Sequence, residues 1–308
     1  MILTVTLNTA LDVTYRVPRL RPHSSHRVTE ATERPGGKGV NVARVLAALG
    51  HEVTATGFAG GPAGSVVREL LADSPGVVDA LVPCAGGTRR TVAVVDAASG
   101  DTTQFNEPGP LITAAEWSAF LTRYEGLLAG ARAVALCGSL PPGVPVGAYA
   151  VLVRLARAAG VPALLDASGE ALRRGVAARP EMIKPNAAEL AELTGSRDPL
   201  PATRDARRRG AHAVVTSLGP DGLLAATPQG TWQAAPPRTL SGNPTGAGDS
   251  AVAGLLSALT EGLDWPARLI RAVALSAATV HAPAAGEFDP RTYEEVRGSV
   301  KVTATQAG

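Results

Sequence analysis

The sequence predicts an α/β fold: a doubly wound, mostly parallel sheet with helices on both faces, plus a small β-sheet lid. Three observations predict it. Strand-like and helix-like runs alternate along the 308 residues, which is the signature of βαβ units. Residues with chemical character fall just after the strand-like runs: Asn8 and Asp12, Gly138 and Ser139, Asp166, Lys184 to Asn186, and Ser217 to Gly219. Open parallel sheets collect ligands at that edge. Two segments, 11–34 and 88–107, alternate apolar with polar and show no helical period.

The elements follow in order. "MILTVTLNTALDV" alternates apolar residues with Thr and Asn, so it reads as a strand and not as a signal peptide. "NVARVLAALG" is a helix with Gly50 as its stop, and "EVTATGFAG" and "GSVVRELLAD" repeat the pair. "AVALCGSL" precedes "AYAVLVRLARAAG"; "PALLDAS" and "EMIKPN" precede "AAELAELTG"; "AVVTSLG" precedes "DGLLAAT" in the helix position. The segment 88–107 reads as a hairpin around "AASGD". This assigns 1–10, 35–87 and 108–308 to a main domain, and 11–34 with 88–107 to the lid. The lid strands present one apolar face, with Val13, Tyr15, Val17, Val92 and Val94. A sheet that covers only a ligand leaves this face open, so a symmetric homodimer through the lid is expected. The tail "KVTATQAG" is expected to fray or dock loosely.

Composition narrows the function. Charges nearly balance at +2, which gives no bulk attraction to nucleic acid. No apolar run is long enough to span a bilayer. Cys84 and Cys137 lie far apart, without metal-ligand spacing, and fit a reduced compartment; the cytoplasm is the expected location. Only three of 29 basic residues are lysine, and two of these, Lys38 and Lys184, sit in "PGGKGVN" and "IKPN". A compact, strongly hydrated point charge is favoured there over a planar fork.

Four stretches carry candidate chemistry. In "PGGKGVNVARVLAALG", Gly36, Gly37 and Gly39 let a ligand approach backbone, and a helix opens beside Lys38 and Asn41. The plain alternative is a glycine turn capping a helix. In "SGNPTGAGDSAVAGLL", Gly246, Ala247 and Gly248 run into Asp249. That acid could simply oppose a helix dipole. The stretch also matches G-x-G-x-x-A formally, but a dinucleotide loop belongs in the first βαβ unit and would set Asp249 against a pyrophosphate. Phosphoryl transfer makes better sense: amides of 246–249 stabilise the moving phosphoryl group, and Asp249 takes a hydroxyl proton. No G-x-x-x-x-G-K-[ST] occurs, which excludes a P-loop. In "IKPNAAEL", Asn186 and Glu189 can order the water shell of Mg²⁺, or form a capping box. "SLGPDG" is a turn after a strand.

Together these motifs resemble the ribokinase-like (PfkB) carbohydrate kinases over essentially the whole chain. "GGKGVNVARVLAALGHEVTATGFAG" and "NPTGAGDSAVAGLL" fit its two signatures, and Asn186 with Glu189 fits its Asn-x-x-Glu motif. "LNTALD", "NEPGP", "GSLPPGVP" and "LDASGEAL" resemble the phosphosugar branch. Pro244 stands where Thr is common, and Thr91 where Asn is usual. The resemblance implies Asp249 as base and Gly246, Ala247 and Gly248 as anion hole. It implies ATP, with Lys184, Asn186, Ser217, Gly219 and Gly222 around the nucleotide, and Mg²⁺ near Asn186 and Glu189. Asp12, Gly37, Lys38, Asn41, Arg89 and Ser139 would face a sugar phosphate. Lys within "GGKG" resembles the fructose 1-phosphate and tagatose 6-phosphate kinases of that branch and not the minor 6-phosphofructokinase, so fructose 1-phosphate is expected first, tagatose 6-phosphate second and fructose 6-phosphate third. Two rivals stand beside this: a silent binding protein on the same scaffold, and a kinase of unphosphorylated sugars or nucleosides.

Overall fold

The computed structural model describes residues 1–238 and 242–305. The first half of the chain forms β1 (Ile2–Thr6), β2 (Ala10–Val17), β3 (Glu30–Gly36), α1 (Lys38–Ala48), β4 (Val53–Ala59), α2 (Gly61–Ala72), β5 (Val77–Asp79), β6 (Val82–Pro83), β7 (Arg89–Asp96), β8 (Thr102–Asn106), α3 (Ala114–Leu128) and β9 (Ala133–Cys137). Next come α4 (Ala148–Ala158), β10 (Ala163–Asp166), α5 (Gly169–Ala177), β11 (Met182–Ile183), α6 (Ala187–Thr194), α7 (Pro199–Arg208) and β12 (Ala213–Ser217). Last are β13 (Leu223–Thr227), β14 (Gly230–Ala235), α8 (Ala247–Thr260), α9 (Trp265–Thr279), α10 (Pro290–Arg297) and β15 (Lys301–Thr305).

The large sheet runs β15-β14-β13-β12-β11-β10-β9-β1-β4-β5, with β6 also on β4. From β12 across to β5 the pairs are parallel; β13, β14 and β15 add an antiparallel edge. The central strands are buried on both faces, so they read as near-continuous apolar runs. Alternate residues enter opposite cores. Ile2, Ala133, Ala135 and Cys137 join α1, α8, α9 and α10; Leu3, Val5, Val134 and Leu136 join α3 to α7. The chain reverses its order of strand addition between β1 and β9, the crevice where such sheets bind ligands.

A second sheet, ordered β3-β2-β7-β8, stands apart from the first. Asp12 pairs with Arg34 and Thr91, and Thr91 with Asn106, so these side chains share one face. The opposite face is not the open surface that the sequence suggested. Leu11 and Val13 pack with Val67 and Leu71 of α2, Tyr15 and Val92 lean on the same cluster, and Val17 is buried. Phe105, 60% exposed, continues this face at the sheet edge.

Two further expectations are corrected. "DGLLAAT" is not a helix: Leu223–Thr227 is a fully buried strand, antiparallel to β12 and β14. Four residues between Gly222 and "TPQG" are too few for a core helix. The tail is not loose, because Lys301–Thr305 pairs with β14 as the edge strand; residues 306–308 lie outside the described residues.

Candidate active site

The carboxyl ends of β10, β11 and β12, the starts of α1, α6 and α8 and the second sheet enclose a charged hollow of about 400 Å³. Asp12, Gly37, Lys38, Asn41, Arg89, Lys184, Asn186, Glu189, Ser217, Gly246, Gly248 and Asp249 line it, so most of the residues singled out above meet here. Ser139 does not line the hollow. Its exposed hydroxyl accepts from Asn8 Nδ2 at 3.0 Å, which places it beside the site through Asn8.

Asp249 owes its position to the α8 start. Gly246 caps the helix at φ 85°, a left-handed conformation, and a Cβ there would sit 2.8 Å from Ala285 Cα. The Ala247 amide is spent on the Pro244 carbonyl at 3.0 Å. Gly248 and Asp249 follow as the second and third helical residues, whose amides have no acceptor within the helix. The Asp249 carboxylate is 7% exposed and accepts from Asn41 Nδ2 at 2.8 Å. Burial pushes its pKa up to about 7, and the nearby Asp166 adds to this; the Asn41 amide, Lys38 and Lys184 oppose it.

Asp166, at the end of β10, sits between two lysines. Lys38 Nζ is 3.4 Å from one carboxylate oxygen and Lys184 Nζ 3.6 Å from the other. Lys184 and Asp166 are buried, whereas the Lys38 side chain is 42% exposed and open to the hollow. Burial alone would lower the Lys38 pKa, but attraction from Asp166, Asp249 and Glu189 outweighs it and holds the ammonium above its ordinary range. A Cβ on Gly248 would lie 3.6 Å from Lys184 Nζ, so this cation sits against the α8 start.

Asp12 faces the hollow from β2. Burial raises its pKa to about 6 against a hydrogen bond from Thr91 and the charges of Arg89 and Arg44. Arg89 donates to the carbonyls of Asn8 at 3.1 Å and Glu107 at 3.3 Å, so its guanidinium is fixed before any ligand arrives.

A second, larger cleft of about 820 Å³ adjoins the first and shares Asn186, Ser217 and Gly248 with it. Gly219, Gly222 and Ala247 belong to this side, with Pro220, Val273, Ala277 and Val280 as its apolar wall. Asn186 and Glu189 form the capping box of α6: each side chain accepts from the other's amide at 2.9 Å. The box uses Glu189 Oε2 and leaves Oε1 over, beside the hollow. Among the described residues no group of three His, Cys, Asp or Glu could cage a metal. One spare carboxylate oxygen and one amide would suit Mg²⁺ that keeps most of its waters.

Sequence reasoning gave no role to Asp166, although an acid closing the buried run "PALLDAS" marked it. Gln104 and Asn106 also line the hollow, spaced two apart on β8, a period that could have revealed them. Thr245 belongs to the glycine-acid stretch without having been singled out, and Ala285 carried no signal.

The family model described as "pfkB family carbohydrate kinase" matches residues 3–291. The chain is 41% identical over 284 residues to a 1-phosphofructokinase of Rhodobacter capsulatus, covering 90% of both proteins. It superposes on Escherichia coli phosphofructokinase-2 in complex with fructose-6-phosphate at TM-score 0.89, with 32% identity over 96% of this chain and 98% of that one. A possible 1-phosphofructokinase of Thermotoga maritima gives TM-score 0.90 at 27% identity, covering 99% of this chain and 100% of the other. No helix among the described residues is long and apolar enough to cross a membrane. On the site geometry and these matches together, the chain belongs to the pfkB family of carbohydrate kinases.

Proposed function

We propose that this kinase transfers the γ-phosphoryl group of ATP to the 6-hydroxyl of fructose 1-phosphate, giving fructose 1,6-bisphosphate and ADP. The observation that carries the reading is Asp249: a buried carboxylate with pKa near 7, held by Asn41, beside the Gly248 and Asp249 amides at a helix start. Asp249 takes the hydroxyl proton as the sugar oxygen attacks the γ-phosphorus. The bond from phosphorus to the bridging oxygen breaks, and ADP leaves with that electron pair. The α8 amides and Lys184 stabilise charge on the phosphoryl oxygens. Lys38 and Arg89 supply two cations for the phosphate already on the sugar. The apolar cleft with Gly219 and Gly222 suits the adenine and ribose of ATP. Mg²⁺, when bound through water near Asn186 and Glu189, neutralises phosphate charge. The four-stranded sheet acts as a lid that keeps water from the phosphoryl group.

The substrate assignment rests on the Rhodobacter capsulatus relative and on Lys38. Turnover of ATP against fructose 1-phosphate, tagatose 6-phosphate and fructose 6-phosphate at equal low concentration tests it. Fructose 1-phosphate should give the highest kcat/KM, and a faster rate with either rival overturns the choice. The fully engaged Asp249, Asn41 and lysines speak for catalysis over silent binding. A homodimer through the four-stranded sheet is part of the same reading. Beyond the cover of α2, half-buried Val94 and exposed Phe105 continue an apolar face that a second copy would cover. A monomer in light scattering at micromolar concentration overturns this. ATP as donor and two cysteines that stay thiols fit a cytoplasmic location.

A further inference from the structure

Outside the groups used above, one carboxylate joins three parts of the molecule. Glu287 lies in the turn between α9 and α10. Its Oε1 is 2.8 Å from Arg44 Nη2 on α1 and 3.3 Å from Arg34 Nε on β3 of the second sheet. All three side chains are under one-third exposed. Arg44 also donates through Nη1 to the Ala285 carbonyl at 3.1 Å, so the turn is held at two points. The backbone carbonyl of Glu287 lies 3.1 Å from Thr279 Oγ1, and that hydroxyl is 2.6 Å from Ser250 Oγ, next to Asp249.

The turn held in this way touches the reactive corner. A Cβ on Gly246 would meet Ala285 at 2.8 Å, and one on Gly286 would come within 3.2 Å of Asn41 Cα and Oδ1. Ala285 therefore backs the left-handed glycine that opens α8, and Gly286 backs the residue that holds Asp249. Packed contacts of this kind have few alternative arrangements, so a shift in the turn is passed on and not absorbed. We infer that Glu287 is a positioning residue: it locks β3 and α1 onto the Ala285–Gly286 turn and so ties the seat of the four-stranded sheet to the geometry of the α8 start and of Asn41. It lines neither the hollow nor the adjoining cleft. The inference rests on the proposed kinase site, but the network itself stands on the distances above.

The test uses the full-length enzyme and the variants E287Q, E287A and R34A, with wild type assayed alongside. Misplacing a reactive corner without removing a reactive group lowers the chemical step by about tenfold. E287A should thus lower kcat about tenfold while KM for ATP stays within about twofold and the melting temperature falls by only a few degrees. E287Q, which keeps one neutral hydrogen bond, should restore part of the loss. R34A added to E287A should cost little more, since both break one link. A readout independent of turnover is amide hydrogen exchange of the wild type and variants. E287A, and separately R34A, should speed exchange in 30–36 and in 247–250 together. Unchanged kcat in a folded E287A, or faster exchange confined to the 285–287 turn, overturns the inference. Failure of the wild type to use any sugar phosphate overturns the kinase reading instead, and the exchange result still decides the role of Glu287. If E287A does not fold, E287Q and R34A carry both measurements.

Discussion

The two halves of the cleft solve different problems. The smaller half brings Asp12, Lys38, Asp166, Lys184 and Asp249 around one hollow, where burial raises the pKa of Asp12 and of Asp249 and the nearby Asp166 adds to the rise at Asp249. The larger half is walled by Pro220, Val273, Ala277 and Val280, and Asp221 is the one charged residue in its lining among the described residues. A charge moved in the first half biases the protonation of Asp249 and Lys38, because the low local dielectric keeps interactions strong. A methyl group moved in the second changes only fit. Substitutions in the charged half should therefore appear in kcat and in pH dependence, and those in the apolar half in KM for ATP.

The strongest way to break this contrast is D249N. It removes the base but keeps size and the partner Asn41, so kcat should fall about 10²–10⁴-fold with both substrates still binding. Turnover near that of wild type would remove Asp249 from the mechanism. Isothermal titration with ATP checks the other half: an affinity within about twofold of wild type is expected, because Asp249 does not line the apolar cleft.

K38A comes next. The loss of one charge-assisted contact to the sugar phosphate should lower kcat/KM for that substrate about tenfold or more, with KM for ATP little changed. Lys38 also opposes the upward shift of Asp249, so its loss should move the acid limb of the pH profile to higher pH. An equal loss of affinity for ATP would show that Lys38 serves the nucleotide phosphates instead.

The third consequence is pH dependence, and here the signs differ between activity and stability. Asp249 must be ionised to accept a proton, and its pKa lies near 7 in the folded enzyme. The kcat/KM should fall about tenfold per unit as pH drops below that value. Stability runs the other way. A carboxyl raised from 3.8 to about 7 keeps its proton in the folded state where the unfolded chain has released it. The folded state is favoured below pH 4 and loses this advantage as pH rises to about 7. Asp12, raised to about 6, adds the same slope over a narrower window. Thermal melts from pH 4.5 to 7.5 should show a slope that D249N flattens.

The same contrast explains what was legible in the sequence. Alternating runs and the glycine-acid stretch are local patterns, and they led to the α/β sheet and to Asp249. The role of Asp166 is a matter of three dimensions: only the fold brings Lys38 and Lys184, 146 positions apart in the chain, onto its two oxygens. The apolar wall was hidden for another reason. Val273 and Ala277 lie on α9 with a stripe that also packs the core, so a ligand wall and a core helix look alike. "DGLLAAT" failed because a short buried run has no period to separate strand from helix. The face of Val13 and Tyr15 failed because sequence does not show that α2 folds back over it.

The smallest effect is expected where a cap and a metal contact compete for the same pair. Asn186 and Glu189 already satisfy each other's amides, and this capping box alone accounts for their spacing. A metal role needs the oxygen that the box does not use. E189Q separates the two, because glutamine serves the third helical position of such a box as well as glutamate does. The cap should survive, and the melting temperature should shift by no more than about 2 °C, the scale of a few tenths of a kcal/mol in a chain of this size. The charge is lost, however, and a water shell ordered by a neutral amide holds Mg²⁺ less well. The Mg²⁺ concentration for half-maximal rate should rise several-fold, with kcat at saturating Mg²⁺ nearly restored. A sharp fall in melting temperature with unchanged Mg²⁺ dependence would leave Glu189 as a helix cap only. That result would leave the metal contact to another carboxylate of the same hollow, where Asp166 is buried beside Lys184.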